Sequence, residues 1–131
     1  MTEFTKIGGL YKFPDLQLEK LLVRVVNAIN KISDGYLFTT KAIGSAYSAS
    51  QSDHCLLVST ATAGVTVTLP AASAAPYKLF VIKKTTTDAN AVTIATGGGT
   101  VDGSATLAFT TSRGMRAVVS DGSNYHVVGQ I

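Results

Sequence analysis

The side chains able to do acid–base or nucleophilic chemistry are few, and their spacing assembles no site. The chain holds two histidines, His54 and His126, and one cysteine, Cys55. The acids are Glu3, Asp15, Glu19, Asp34, Asp53, Asp88, Asp102 and Asp121. Protein metal sites need three or four ligands brought together, and the two histidines stand far apart with no metal-like spacing. No metal site and no cofactor is expected. A cysteine nucleophile needs an activating base near its thiol. His54 precedes Cys55 directly, but neighbours on a strand point to opposite faces. Cys55 therefore reads as a small buried hydrophobe, and a single cysteine makes no internal disulfide. Most of the acids lie beside Gly, Asn or a helix end, where carboxylates cap and turn the backbone. Asp102 and Asp121, each followed by Gly, are assigned to turns. Gly97-Gly98-Gly99 lacks the Lys-Ser/Thr ending and the following helix of a phosphate loop, and reads as a flexible turn. No catalytic residue is expected.

The elements that would position these side chains are mostly short strands. Apolar and Thr-rich runs lie at 54–59, 65–70, 79–84, 91–95, 106–109, 115–120 and 125–128. Gly97-Gly98-Gly99, Asp102-Gly103 and Asp121-Gly122 separate several of them. Such runs between turn signals predict an all-β sandwich or barrel. Val65, Val67 and Leu69 alternate with Thr66 and Thr68, which predicts one buried face and one hydroxylated face. Pro70 ends that strand because it has no amide donor. Residues 53–131 are read as this β-head. Residues 36–52 are read as a linker with short strands around Tyr36 and Tyr47, ending in a polar loop.

Residues 15–35 form the one helical segment. Pro14 pushes Phe13 toward an extended conformation, Asp15 can cap the start, and Asp34-Gly35 supplies a stop. Leu18, Leu22, Val25, Ile29 and Ile32 recur at intervals of four, three, four and three. That is a 3.5-residue period, the seam of a left-handed coiled coil. Leu21, Ala28 and Val26 widen the stripe, and the β-branched seam residues favour three strands over two. A homotrimer is expected through these five positions. The competing reading is an amphipathic helix packed on the chain's own sheet.

Residues 1–14 carry Phe4, Ile7, Leu10, Tyr11 and Phe13 among polar residues and glycines. A tail this apolar cannot bury itself, and docking on a partner is expected; folding back on its own domain is the alternative.

Composition narrows the function classes. The 131 residues suit one modest domain, and 46% are hydrophobic but only 15% charged. About 25% charged is usual, so much of the surface must be Thr, Ser, Ala and Gly. That suits a chain hidden in part by other subunits, and excludes a disordered one. The net charge is +3, but the cations are scattered, with Lys83-Lys84 the one run. Nucleic-acid binding needs a concentrated patch with stacking aromatics, so no nucleic-acid partner is expected, and the pair reads as a solvated strand end. No stretch reaches the length of a membrane span, and the N-terminus has no signal-peptide h-region. Synthesis in the cytoplasm without a standard export signal is expected.

From Asp53 onward the ordered pieces resemble a β-module of bacteriophage virion proteins, the tail-fibre, head-fibre and capsid-decoration proteins. The pieces are the opening Asp53-His-Cys-Leu-Leu-Val strand, the Val65–Pro70 strand end, the apolar strand closing in Lys84 and Val92-Thr93-Ile94. They continue with the Val101-Asp102-Gly103 turn, the strand Ala117–Gly122 and a last strand opened by Tyr125. They cover a little over half of the chain. The module often has Gly where this chain has Pro76-Tyr77-Lys78, and Trp where it has Tyr125. The resemblance implies a virion structural protein, usually trimeric. The expectation is a trimeric capsid-decoration or head-fibre protein on the virion surface, anchored to a capsid or tail protein by Phe4, Ile7, Leu10, Tyr11 and Phe13, with the β-head outward. A tail-fibre or adhesin module binding a host receptor or glycan is the alternative, with Tyr36, Tyr47, Tyr77 and Tyr125 as candidate aromatics. A carbohydrate-depolymerising enzyme, using acids among Asp88, Asp102 and Asp121 across a trimer interface, is the weakest reading.

Overall fold

The structure is a computed structural model that describes residues 16–33 and 38–131. The chain divides into two compact units, one up to residue 37 and one from Phe38 to Ile131. In the first, Leu16–Ser33 is an α-helix, α1, with Glu19 in its first turn, where the helix dipole favours an acid. The capping and stop residues expected at Asp15 and Asp34-Gly35 lie outside the described residues.

The second unit is built from nine strands: β1 (Thr40–Ile43), β2 (Tyr47–Ser48), β3 (Cys55–Val58), β4 (Val65–Leu69), β5 (Leu79–Lys84), β6 (Val92–Thr96), β7 (Thr106–Phe109), β8 (Met115–Ser120) and β9 (Tyr125–Gln130). They form two open mixed sheets, ordered β1-β3-β5-β8-β9 and β2-β4-β6-β7. The sheets do not close into a barrel, which corrects one half of the sandwich-or-barrel expectation. Residues 36–52 were expected to link helix and head. From Phe38 on they belong to the β-unit, and β1 and β2 are the first strands of its two sheets.

The winding is not that of an antiparallel sandwich. The first six strands alternate between the sheets, and β1-β3-β5 and β2-β4-β6 run parallel. Each crossover between parallel neighbours therefore contains a strand of the opposite sheet, where a helix is commoner. β7 pairs antiparallel with β6, and β8 pairs antiparallel with both β5 and β9. Turn signals mark where a strand ends but do not say which sheet the next strand joins.

One core lies between the sheets. Leu56, Val58, Phe80, Ile82, Val118 and Tyr125 enter it from the five-stranded sheet. Val65, Val67, Leu69, Val92, Ile94 and Phe109 enter it from the four-stranded one. The alternation in β4 is as its sequence dictates: Val65, Val67 and Leu69 are buried, while Thr66 is exposed and Thr68 half-buried. Phe80 and Tyr125 meet edge to face at 6.1 Å, and the Tyr125 hydroxyl donates to the Pro70 carbonyl at 2.8 Å. That bond satisfies the polar end of the ring, as a buried Tyr requires.

Candidate functional site

The helix seam is the first candidate. On α1, Leu22, Val25 and Ile29 are 53%, 47% and 57% exposed, and Leu18 is half-buried. Ile32 lies in α1, and its side chain is outside the described residues. Leu21, Val23 and Val26 are exposed as well. Most helices in proteins gain their stability from packing an apolar face rather than from propensity. The tail residues Phe4, Ile7, Leu10, Tyr11 and Phe13 also lie outside the described residues.

The titratable groups organise loops. Asp102 and Gly103 have φ of 49° and 82°, and Val101 and Ser104 exchange backbone hydrogen bonds of 2.8 and 3.0 Å across them. This is the two-residue turn that needs left-handed φ at both positions, which Asp-Gly tolerates. The Asp102 carboxylate also accepts the Val127 amide at 3.0 Å, tying the turn to β9. Asp121 accepts the amides of Ser123 and Asn124, both at 2.8 Å, in the β8–β9 turn. Its second oxygen meets His126 Nε2 at 2.7 Å. The Asn124 amide, then the His126 ring, hold its carboxyl down at about 2. The sequence concealed that His126 contact, because a hairpin register is needed to bring the two together.

Asp53 accepts the Ser50 amide at 2.9 Å and the Tyr47 hydroxyl at 2.8 Å. Burial pushes its carboxyl up, but these bonds and nearby Lys41 leave it below its ordinary value. The Lys41 ammonium sits 4.5 Å over the Tyr47 ring. His54 meets the Lys78 ammonium at 2.9 Å and lies edge-on to Phe38 at 5.2 Å. Burial first, then the Lys78 charge, lowers the His54 pKa. Cys55, expected to be buried, is half-buried and free.

Lys84 departs furthest from expectation. It was assigned to a solvated strand end, yet it is completely buried. Its ammonium donates to the carbonyl of Asp88, to that of Asn90 at 2.8 Å and to that of Thr110 at 3.1 Å. The Asp88 carboxylate lies 3.4 Å away. Asp88 also accepts the Thr60 hydroxyl at 2.7 Å and the Asn90 amide at 3.0 Å. The hydroxyls of Thr60 and then Thr86 are the chief reasons its carboxyl lies well below the usual range. A charge survives burial only when paired and hydrogen-bonded throughout. Lys84 meets that condition by drawing the loop carbonyls around it. Nothing in the Lys-Lys pair distinguishes the buried member, because burial follows from strand parity against Ile82.

The four tyrosines offered for carbohydrate separate cleanly. Tyr36 lies outside the described residues. Tyr47 is half-buried on Asp53, and Tyr125 is core. Tyr77 is 81% exposed and holds a φ of +62°. A bulky residue rarely adopts that conformation. Phe38, which sequence reading did not single out, is exposed as well.

No protein-family model and no curated protein matches this chain.

Among the described residues no group of three or more His, Cys, Asp or Glu is placed to hold a metal ion. Among them, too, no helix is long and apolar enough to cross a membrane. The acids Asp88, Asp102 and Asp121 are each committed to backbone amides or to a neighbouring side chain. Among the described residues, Asp53, Asp88, Asp102 and Asp121 each fix a turn or a loop.

Proposed function

We propose that this chain is a structural protein of a bacteriophage virion, a homotrimeric capsid-decoration or head-fibre protein. Its helix joins three copies, its N-terminal tail attaches to a capsid or tail protein, and its β-head faces outward. The observation that carries the reading is the exposed apolar seam of α1. Leu22, Val25 and Ile29 are spaced for a coiled coil and are left uncovered. The ordered β-module after Asp53 supports the virion context, and the low charge of the chain supports a surface shared among subunits. The role is assembly, not catalysis.

Sedimentation of the purified chain, with recovery of the same chain from particles, tests the reading. A trimer found on particles is expected, and a monomer absent from particles would end it. A second reading, a tail-fibre or adhesin head that binds a host receptor or glycan, is favoured by Tyr77. Strain in an exposed aromatic is what a presented binding residue costs, and a glycan-array scan of wild type against Tyr77→Gly separates the two readings.

A further inference from the structure

We propose that the outer face of the five-stranded sheet is a self-association surface, on which copies of this chain pack once their helices have joined. The inference rests on the self-association reading of α1 and extends it to the head. The two sheets differ on their outer sides. On the four-stranded sheet, Thr66 lies beside Thr93 and Thr93 beside Ala108, a surface of hydroxyls and methyls suited to water. On the five-stranded sheet the outward residues are mainly apolar, with His126 beside Val119 toward the β9 edge. Leu79 lies beside Val119, and Val81 lies between Cys55 and Ala117. A bulge in β9 leaves Val128 outward and 61% exposed. The one lysine among the outward residues, Lys83, bends its ammonium back to the carbonyl of Arg113.

The parallel strands carry the signature of a sheet covered on both sides. Cys55-Leu56-Leu57-Val58 and Leu79-Phe80-Val81-Ile82 are unbroken apolar runs. Such runs belong to strands with both faces buried, while a one-sided strand alternates as β4 does. The inner side meets the core, and the outer side requires a second cover.

Area and connectivity assign that cover to another copy. Five strands at a spacing of about 4.8 Å and six residues at about 3.3 Å give a face on the order of 480 Å². A stable interface needs about 800 Å² per partner, so the face alone is too small. The 18 residues of α1 offer about 27 Å of seam, or about 270 Å² at a helix width of about 10 Å, and the two contacts of each copy together come near that scale. Only residues 34–39 separate α1 from β1, and groups so closely tethered meet at an effective concentration on the order of millimolar. Homomeric interfaces are also the more apolar class, which fits a face with so little charge.

Cys55 is a built-in reporter, because it stands in the row between Thr40 and Val81. Maleimide labelling of the intact chain should be slow in the assembly. It should speed up at least tenfold on dilution, in step with the loss of mass seen by sedimentation. Leu79→Lys with Val128→Lys, both at exposed positions, should weaken assembly at least tenfold with unchanged circular dichroism. Thr66→Lys with Ala108→Lys on the other sheet should not. If the first pair leaves assembly and labelling unchanged while Val25→Asp with Ile29→Asp dissociates the chain, the face proposal is overturned and the helix reading stands. If the wild type is monomeric at all concentrations and Cys55 is protected throughout, both are overturned, and the chain's own helix is the cover.

Discussion

Lys84 and Gly99 show how single residues bear the loops of the head. Lys84→Met keeps the length of the side chain but leaves three carbonyl oxygens and the Asp88 carboxylate without their cation. Breaking such a buried pair costs about 3 kcal/mol, and a loss of that size in the unfolding free energy from urea titration is expected. Gly99 has a φ of +89°, and a Cβ there would stand 2.3 Å from the Ser123 carbonyl oxygen. The triple-glycine turn is thus packed against the β8–β9 turn, where flexibility was expected. Gly99→Ala should cost at least about 2 kcal/mol by the same assay. Asp102→Asn should be nearly neutral, since Asn-Gly supports the same turn and its amide oxygen still accepts from Val127. Acid should lower the stability of the head over two pH ranges. The folded-state pKa of His54 lies below its ordinary 6.5. Its contribution is therefore complete above pH 6.5 and is lost as pH falls through the folded value. Asp53 and Asp121 are lowered from 3.8, Asp121 to about 2. Their contribution is complete above pH 3.8 and disappears as pH falls toward 2. Thermal melting against pH should show both ranges, and His54→Asn should remove the upper one.

At the scale of elements, α1 and the parallel strands make different demands. A lone amphipathic helix gains little from propensity, and the proposed assembly covers α1 along Leu18, Leu22, Val25 and Ile29. Val25→Asp with Ile29→Asp places charges in the seam. Gel filtration with light scattering should then report one chain, against three for the wild type if the proposed trimer holds. The head should keep its β-type circular dichroism, since its core is drawn from the strands of residues 38–131. An unchanged mass in the double variant would transfer the assembly to another surface.

For the molecule as a whole, the proposed function gives separate tasks to the parts of the chain. Deleting residues 1–13 leaves the helix seam and both sheets intact, so the trimer should persist. Loading onto particles should fall to background, measured as copies per capsid by quantitative gel, because a trimer presents three tails whose weak contacts combine. Normal loading of the truncated chain would place attachment in the head and reverse the proposed orientation.

The β class, the helix and several turns were legible in the residues themselves. Alternation of Val and Thr sets the two faces of β4, Asp-Gly demands left-handed φ, and a 3.5-residue repeat forms a stripe on a helix. Each depends on neighbours within a few residues, which is why a linear chain displays it. Sheet membership, the parallel order of β1 to β6, the burial of Lys84 and the Asp121–His126 contact were decided by tertiary structure. So was the contrast between a hydroxylated sheet face and an apolar one. These depend on which strands become neighbours after the chain has crossed from sheet to sheet. Parity alone then turns Lys83 outward and Lys84 into the core, with no difference in residue type to mark it. The apolar runs of β3 and β5 are unbroken in the sequence, but only the paired register shows that they lie side by side.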